Sequence, residues 1–142
     1  MSKFSIGIDI HGVIDTMPDF FAFLTDSVIK NGGDVHILTG SHWTPEMQDQ
    51  LNSLGIKWTH KYSIYDHLMN SGAKIIGQVR FSDDTVQNEF LKEDWDCVKG
   101  RYCKENNISL HIDDGFTYKD HFTTPFAMLW SNKEKPSFKI KN

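Results

Sequence analysis

An aspartate that follows a mostly apolar run is the first feature of this chain that could do chemistry. Residues 4–9 form the run and end on Asp9, and Gly12 follows three positions later. This pattern is typical of a buried strand that brings a carboxylate to the carboxyl edge of a parallel sheet, where open α/β sheets bind ligands. A carboxylate there can attack phosphorus and form an aspartyl-phosphate, which divides a difficult hydrolysis into two easier steps. Taken alone, Asp9 is better explained as a cap of the following turn, and the other motifs of the chain favour the nucleophile.

A pair of adjacent aspartates, Asp113 and Asp114, follows a second apolar strand, which we predict over residues 108–112. Two neighbouring carboxylates at a strand end repel each other unless a cation or hydrogen bonds compensate. Mg²⁺ prefers hard oxygen ligands beside a phosphate, so the pair predicts a magnesium site, with an ordinary Asp-Asp-Gly turn as the alternative. The acidic pair Asp83-Asp84 lacks such a strand and is predicted to be a solvated turn.

Two further segments carry groups that suit a phosphate. Thr39 ends a predicted strand and Gly40-Ser41 follow it, so a hydroxyl and backbone N–H groups are available for phosphate oxygens. The ammonium of Lys99, on the helix before Asp113, could neutralise both the phosphate and the nucleophile. The alternatives are an ordinary turn and a surface lysine. We select Lys99 because its apolar helix neighbours place it beside the buried face.

His11, two residues after Asp9, is the candidate for proton transfer. An imidazole can donate and accept protons near neutral pH, and so can serve both as an acid and as a base. A role in shaping the substrate site is the alternative. Asp15 is the second choice as proton donor, and His42, next to Ser41, is expected to border the pocket.

Strands and helices alternate in the segment that must position these residues. We predict strands over residues 4–9, 35–38 and 56–58, a helix from Pro18 to about residue 30, and a helix that begins at Pro45 with Thr44 as its N-cap. This alternation favours right-handed βαβ crossovers and a parallel sheet.

The second half of the chain is less regular. Its pattern predicts a short helix over residues 64–69, a hairpin or edge strand over 74–81 and a turn at 82–84. It then predicts a long helix over 90–105 that carries Lys99, and two more strands over 108–112 and 124–130.

Composition excludes several functional classes. The 142 residues suit one domain, 1–142, and the net charge of −4 offers no broad cationic face for duplex DNA. No stretch approaches the roughly 20 apolar residues that span a bilayer, so no membrane contact is expected. The start of the chain shows no signal peptide, and Cys97 and Cys103 suit reduced thiols in the cytoplasm. Residues 131–142 are predicted to be a basic tail or a last edge strand.

In order and spacing, Asp9, Thr39, Lys99 and the pair Asp113-Asp114 resemble the four motifs of the haloacid dehalogenase superfamily, a group of mostly Mg²⁺-dependent phosphoryl-transfer enzymes. The resemblance covers roughly residues 4–130. It implies a three-layer α/β/α Rossmann-like fold with a central parallel sheet. It also implies Mg²⁺ held by Asp9, by the backbone carbonyl of His11, and by one or both aspartates of the pair.

The resemblance implies a Mg²⁺-dependent phosphatase whose substrate is a phosphorylated small molecule or macromolecule end, nucleotides and nucleic-acid ends included. His11 stands where phosphatases of the superfamily usually carry a second Asp. This leaves two alternatives open: a catalytically weak binding module, and an enzyme of another reaction type such as carbon–halogen or carbon–phosphorus cleavage. Residues 59–90 leave room for only a small cap, and Asp120 is a further acidic residue that the last motif could use.

Overall fold

The computed structural model describes residues 3–81 and 84–131. The predicted basic tail therefore lies outside the described residues except at Ser131, and the turn at 82–84 and the acidic pair Asp83-Asp84 lie partly outside them. Within the described part, twelve β-strands and α-helices follow one another along the chain. They are β1 Ser5–Ile8, α1 Pro18–Lys30, β2 Asp34–Thr39, α2 Pro45–Ser53, β3 His60–Ser63, α3 Ile64–Asn70, β4 Ile75–Arg80, β5 Val86–Phe90, α4 Lys92–Asp96, α5 Val98–Glu105, β6 Leu110–Asp113 and β7 Phe126–Met128.

Five of the strands form one parallel sheet in the order β3-β2-β1-β6-β7. On one face, apolar side chains of β1 and β2 such as Ile8 and Ile37 pack with Phe21 of α1 and Leu51 of α2. On the other face, Leu38 packs with α5. The predicted α/β class with a parallel sheet is therefore confirmed, and helices on both faces are compatible with a three-layer Rossmann-like fold.

The first two helices begin where the sequence predicts, and the first also ends at the predicted residue, Lys30. Pro18 and Pro45 each occupy a first helical turn, where the missing N–H of proline costs nothing. The hydroxyl of Thr44 accepts a hydrogen bond from the backbone N–H of Met47 at 3.1 Å, which confirms the predicted N-cap.

The predicted third strand over residues 56–58 is wrong, because the strand is β3, His60–Ser63. Ile56 instead packs into the apolar core beneath the sheet. The hydroxyl of Thr59 both accepts a hydrogen bond from Val35 N and donates one to Val35 O, each at 2.9 Å, and so starts the pairing of β3 with β2. β3 is an edge strand with two exposed residues, so it has no apolar run that a pattern could detect.

Residues 74–81 form the first half of a hairpin, since β4 pairs antiparallel with β5 in a separate two-stranded sheet. The helix predicted over 90–105 is two helices, because Phe90 ends β5 and the chain breaks the helix at Cys97. Phe90 anchors the hairpin in a small apolar cluster with Ile64, Leu68 and Val98. The segment 59–90 therefore holds an edge strand, a short helix and a hairpin.

Within residues 3–81 and 84–131, no helix combines the length and the apolar character needed to cross a membrane.

The sheet face that packs on α5 is partly polar at its amino end. His36 is buried, its Nδ1 lies 2.8 Å from the hydroxyl of Tyr102, and its ring stacks on that of His60 with centroids 4.2 Å apart. Burial, reinforced by His60 and opposed by Asp34, lowers the pKa of His36 to about 4. The folded state therefore holds His36 as a neutral imidazole.

This burial predicts an acid-sensitive fold. An unfolded histidine binds a proton near pH 6.5, whereas folded His36 resists protonation down to about pH 4. The unfolded state therefore binds more protons between these values, and the free energy of unfolding falls as the pH decreases, by up to about 1.4 kcal/mol per pH unit. We expect His36→Asn to flatten this dependence in urea unfolding between pH 6.5 and 4.5.

The control for that experiment is His121→Asn, which removes an exposed histidine. Its slope of unfolding free energy against pH should match that of the unsubstituted protein. Equal slopes for His36→Asn and His121→Asn would show that His36 does not carry the effect.

Candidate active site

Three neighbouring parallel strands deliver the predicted acidic and hydroxyl groups to one edge of the sheet. Asp9 follows β1, Thr39 is the last residue of β2, and Asp113 is the last residue of β6. β1 lies between the other two strands. The backbone N–H of Asp9 donates to Ile112 O at 3.0 Å, so the edge is still paired where the carboxylates emerge.

Lys99 of α5 joins two of these strand ends. Its Nζ lies 3.1 Å from Oδ1 of Asp9 and 2.7 Å from Oδ2 of Asp113. All three side chains are buried, with 1% of Lys99, 9% of Asp9 and none of Asp113 exposed. Charge-assisted hydrogen bonds of this kind are the strong ones, and without them the buried charges would be very costly.

His111, which the sequence analysis did not select, is a further partner of Asp113. Its Nε2 lies 2.9 Å from Oδ2 of Asp113, and the backbone N–H of Gly115 donates to Oδ1 at 2.9 Å. The signal in the sequence was the spacing, since residues two apart on a strand share a face. The fully buried ring of His111 also explains Gly7, because a Cβ there would come within 2.6 Å of its Nδ1.

The three groups of this network differ in how strongly their surroundings favour the charged form. Burial would lower the pKa of Lys99, but Asp9 and Asp113 outweigh it and raise that pKa above its usual range. Burial raises the pKa of Asp9 well above its usual range, and Lys99 opposes this only in part. Burial acts on Asp113 too, but Lys99 and His111 prevail and lower its pKa. Asp113 is thus held as a carboxylate, whereas Asp9 needs further positive charge nearby to be held in the same ionised form.

The donor set at this edge suits a divalent cation. Asp9, Asp113 and Asp114 each offer a carboxylate oxygen, and these oxygens lie within 4.8 Å of one another. Three carboxylates against the single ammonium of Lys99 leave an excess of two negative charges. Hard oxygen ligands with that excess fit Mg²⁺. The backbone carbonyl of His11 as a further ligand stays a prediction.

The turn after Asp9 is held by Asp15. Its Oδ1 accepts a hydrogen bond from Gly12 N at 2.7 Å, and Gly12 adopts a φ of 84°, which glycine tolerates readily. Asp15 is therefore occupied in shaping the turn, which leaves His11 as the titratable side chain of this turn that lines the cavity. Burial, with Lys99 adding and Asp15 opposing, lowers the pKa of His11.

The predicted phosphate-binding segment forms a fixed loop. Thr39 is fully buried, and its hydroxyl accepts a hydrogen bond from Ser41 N at 3.2 Å. The hydroxyl of Ser63 donates to Ser41 O at 2.7 Å, and Tyr65 N donates to Gly40 O at 3.2 Å. Gly40 and Ser41 thus reach the cavity with Thr39 beneath them.

A cavity of about 500 Å³ opens at this edge of the sheet. Six residues that the sequence predicts for the site line it: Asp9, His11, Gly40, Ser41, Lys99 and Asp114. Thr39 and Asp113 lie behind this lining, fully buried. The cavity therefore gathers groups from four separate segments of the chain.

Other residues of the lining were missed by the sequence analysis. The ring centroid of Tyr118 lies 4.7 Å from Nζ of Lys99. Glycine is required at position 115 because a Cβ there would lie 2.3 Å from a carbon of the Tyr118 ring. Trp95, Phe81 and Gln87 complete the side toward the hairpin. No local pattern marks them, since each reaches the site through packing between distant segments.

Two candidates lie away from the site. His42 pairs through Nδ1 with Oδ1 of Asp66 on α3, and does not belong to the cavity lining. Asp120 is largely exposed and pairs with Lys119. Neither therefore lines the cavity.

No model of a known protein family matches this chain, and neither a curated protein nor a solved structure matches it.

The buried network predicts that Lys99 contributes far more to the free energy of unfolding than an exposed lysine does. Lys99→Met leaves Asp9 and Asp113 buried beside each other without their cation, so we expect it to lower the free energy of unfolding by about 3–5 kcal/mol. The matched control, Lys3→Met, removes the ion pair with Asp34, whose two side chains are 56% and 22% exposed, and should cost less than about 1 kcal/mol.

Urea unfolding in the presence of EDTA measures both variants without a bound cation. Similar losses for the two variants would contradict a stabilising role for the Lys99 network.

Proposed function

We propose that this chain is a Mg²⁺-dependent phosphohydrolase of the haloacid dehalogenase-like superfamily, with Asp9 as its nucleophile. One observation carries the proposal: the buried ammonium of Lys99 bridges Asp9 and Asp113 at the floor of a cavity. A carboxylate that lines a cavity, beside a fixed cation and further oxygen ligands, suits attack on a phosphate ester. The motif order that resembles the superfamily supports the same assignment.

The proposed reaction has two displacements at phosphorus. A carboxylate oxygen of Asp9 forms a bond to phosphorus while the bond to the leaving oxygen breaks, and that oxygen takes up a proton from a water molecule in the open cavity. Water then attacks the phosphorus of the aspartyl-phosphate, which releases inorganic phosphate and restores Asp9. Lys99 favours the ionised form of Asp9 and offsets charge on the transferred group.

Three residues, Asp9, Asp113 and Asp114, would hold Mg²⁺. When bound, the ion would neutralise phosphate charge and orient the ester for in-line attack. Asp113 is the firmest of these ligands, because Lys99, His111 and Gly115 N fix both of its oxygens.

Proton transfer is assigned to His11. It lines the cavity two residues after the nucleophile, and Asp15 holds the turn that carries it. A neutral imidazole there can accept a proton from the attacking water, which makes the second displacement the step it serves best.

A binding module that retains the fold and the metal site is the second candidate function. The observation that favours it is the imidazole of His11 where the superfamily's phosphatases carry a carboxylic acid. For either function we propose a cytoplasmic location, since Cys97 and Cys103 are both free thiols.

Metal binding provides the first test. Isothermal titration calorimetry should detect Mg²⁺ binding to the unsubstituted protein, and Asp114→Asn and Asp113→Asn should each weaken it at least tenfold because each removes an anionic ligand. Asp120→Asn, a substitution in the same segment but outside the site, should bind Mg²⁺ normally. Normal Mg²⁺ affinity in both site variants would place any metal site elsewhere.

The chemistry is tested by release of inorganic phosphate from a panel of phosphate monoesters. Asp9→Asn should abolish turnover because an amide cannot form the aspartyl-phosphate. His11→Ala should slow turnover at least tenfold, since general acid–base catalysis is worth about 10²–10⁴ in rate. His121→Ala, which removes an exposed histidine, should leave the rate unchanged.

His11→Asp separates the two candidate functions. A phosphatase should retain activity in this variant, because Asp is the residue that the superfamily's phosphatases use. If the unsubstituted protein releases no phosphate from any ester while His11→Asp does, the natural function is binding or another reaction, and the phosphatase assignment fails.

A further inference from the structure

A second cavity adjoins the site cavity on the side of the hairpin. The adjoining space, of about 220 Å³, lies between β4, β5 and α4. Phe81, Gln87 and Trp95 line both spaces, so these three residues form the junction between them. A phosphate ester bound at Asp9 would therefore extend its other end toward this junction.

Two aromatic rings stand at the junction. Trp95 is held in place because its Nε1 donates to the hydroxyl of Tyr118 at 3.0 Å, and its ring packs over Gly40, where a Cβ would lie 3.1 Å away. Phe81 follows β4 and is 39% exposed. Its backbone N–H donates a hydrogen bond to Thr85 O at 2.9 Å. Flat rings on a fixed backbone provide stacking surface for a planar group.

Gln87, which lines both cavities with these rings, contributes a polar group that has no hydrogen-bond partner among the residues that the structure describes. This group, the side-chain Nε2, is buried. Buried polar atoms are nearly always paired, and an exception is explained most simply by a partner that arrives with a ligand. Rotation of the Gln87 side chain would expose this buried amide to the cavity, where an acceptor on a ligand edge would satisfy it.

We propose, on the basis of the phosphohydrolase function above, that the substrate is a nucleoside monophosphate whose base occupies this junction. The phosphate lies at Asp9, the base stacks against Trp95 and Phe81, and a ring nitrogen or carbonyl oxygen of the base accepts a hydrogen bond from Gln87. Sugar phosphates lack the planar face, and phenyl phosphates lack the acceptor edge. A nucleobase supplies both.

Equilibrium binding to Asp9→Asn in the presence of Mg²⁺ tests the substrate class without turnover. Tryptophan fluorescence should report adenosine or uridine 5′-monophosphate binding at least tenfold more tightly than ribose 5-phosphate or phenyl phosphate. Equal affinities for nucleotide and ribose 5-phosphate would overturn the proposal. If Asp9→Asn does not fold, the unsubstituted protein can be titrated with adenosine against ribose, with the same expectation.

The contribution of Gln87 is tested by Gln87→Leu, which preserves side-chain size but removes the donor. In the Asp9→Asn background it should weaken nucleotide binding about tenfold and leave ribose 5-phosphate binding unchanged. The matched control is Gln78→Leu on the paired strand, whose exposed side chain lies outside both cavities. Equal effects of the two substitutions on nucleotide affinity would remove Gln87 from the base site.

A 5′-phosphorylated trinucleotide distinguishes a free nucleotide from a strand end. Binding no tighter than that of the mononucleotide supports the proposal, and binding more than tenfold tighter would overturn the assignment to free nucleotides.

Failure of this inference is distinguishable from failure of the proposed function. Phosphate release by the unsubstituted protein without preference for nucleotides refutes the base site alone. Selective nucleotide binding without phosphate release from any ester supports the base site and refutes the phosphohydrolase.

Discussion

The ion pair network of Lys99 with Asp9 and Asp113 is the constraint on which the rest of this structure depends. Three buried charges are tolerated only when each is paired at short distance, so α5 must lie where its lysine reaches two strand ends at once. This requirement couples the position of α5 to the register of β1 and β6. The candidate site and the packing of one sheet face are thus parts of the same interaction.

The network also determines which residues can stand around it. His111, also on β6, makes a further hydrogen bond to Asp113. Its buried ring leaves room only for glycine at position 7 of the neighbouring strand. Tyr118 covers Lys99 and in turn requires glycine at position 115. Both glycines are needed for close approach, because a side chain at either position would displace a ring that holds the charged group in place.

The hairpin β4–β5 gives the site its second wall. It belongs to a separate sheet, yet Phe90 anchors it to α3 and α5 while Phe81 and Gln87 reach the cavity. A wall of this size narrows the cavity without enclosing it. In the proposed function, the chemistry of phosphate transfer would thus reside in the parallel sheet, and discrimination among substrates would reside in the hairpin.

The sequence by itself determined the features that depend on neighbouring residues. The apolar run before Asp9, the prolines that open α1 and α2 and the cap at Thr44 predicted local structure correctly, and the alternation of elements predicted the parallel sheet. Because the carboxyl ends of parallel strands share one edge, that sheet also predicted that Asp9, Thr39 and Asp113 would meet. The tertiary structure alone decided the position of β3, the pairing of His111 and the lining by Trp95, Gln87 and Tyr118. These features depend on contacts between segments far apart in the chain, and no local pattern of residue types records which distant side chains will pack together.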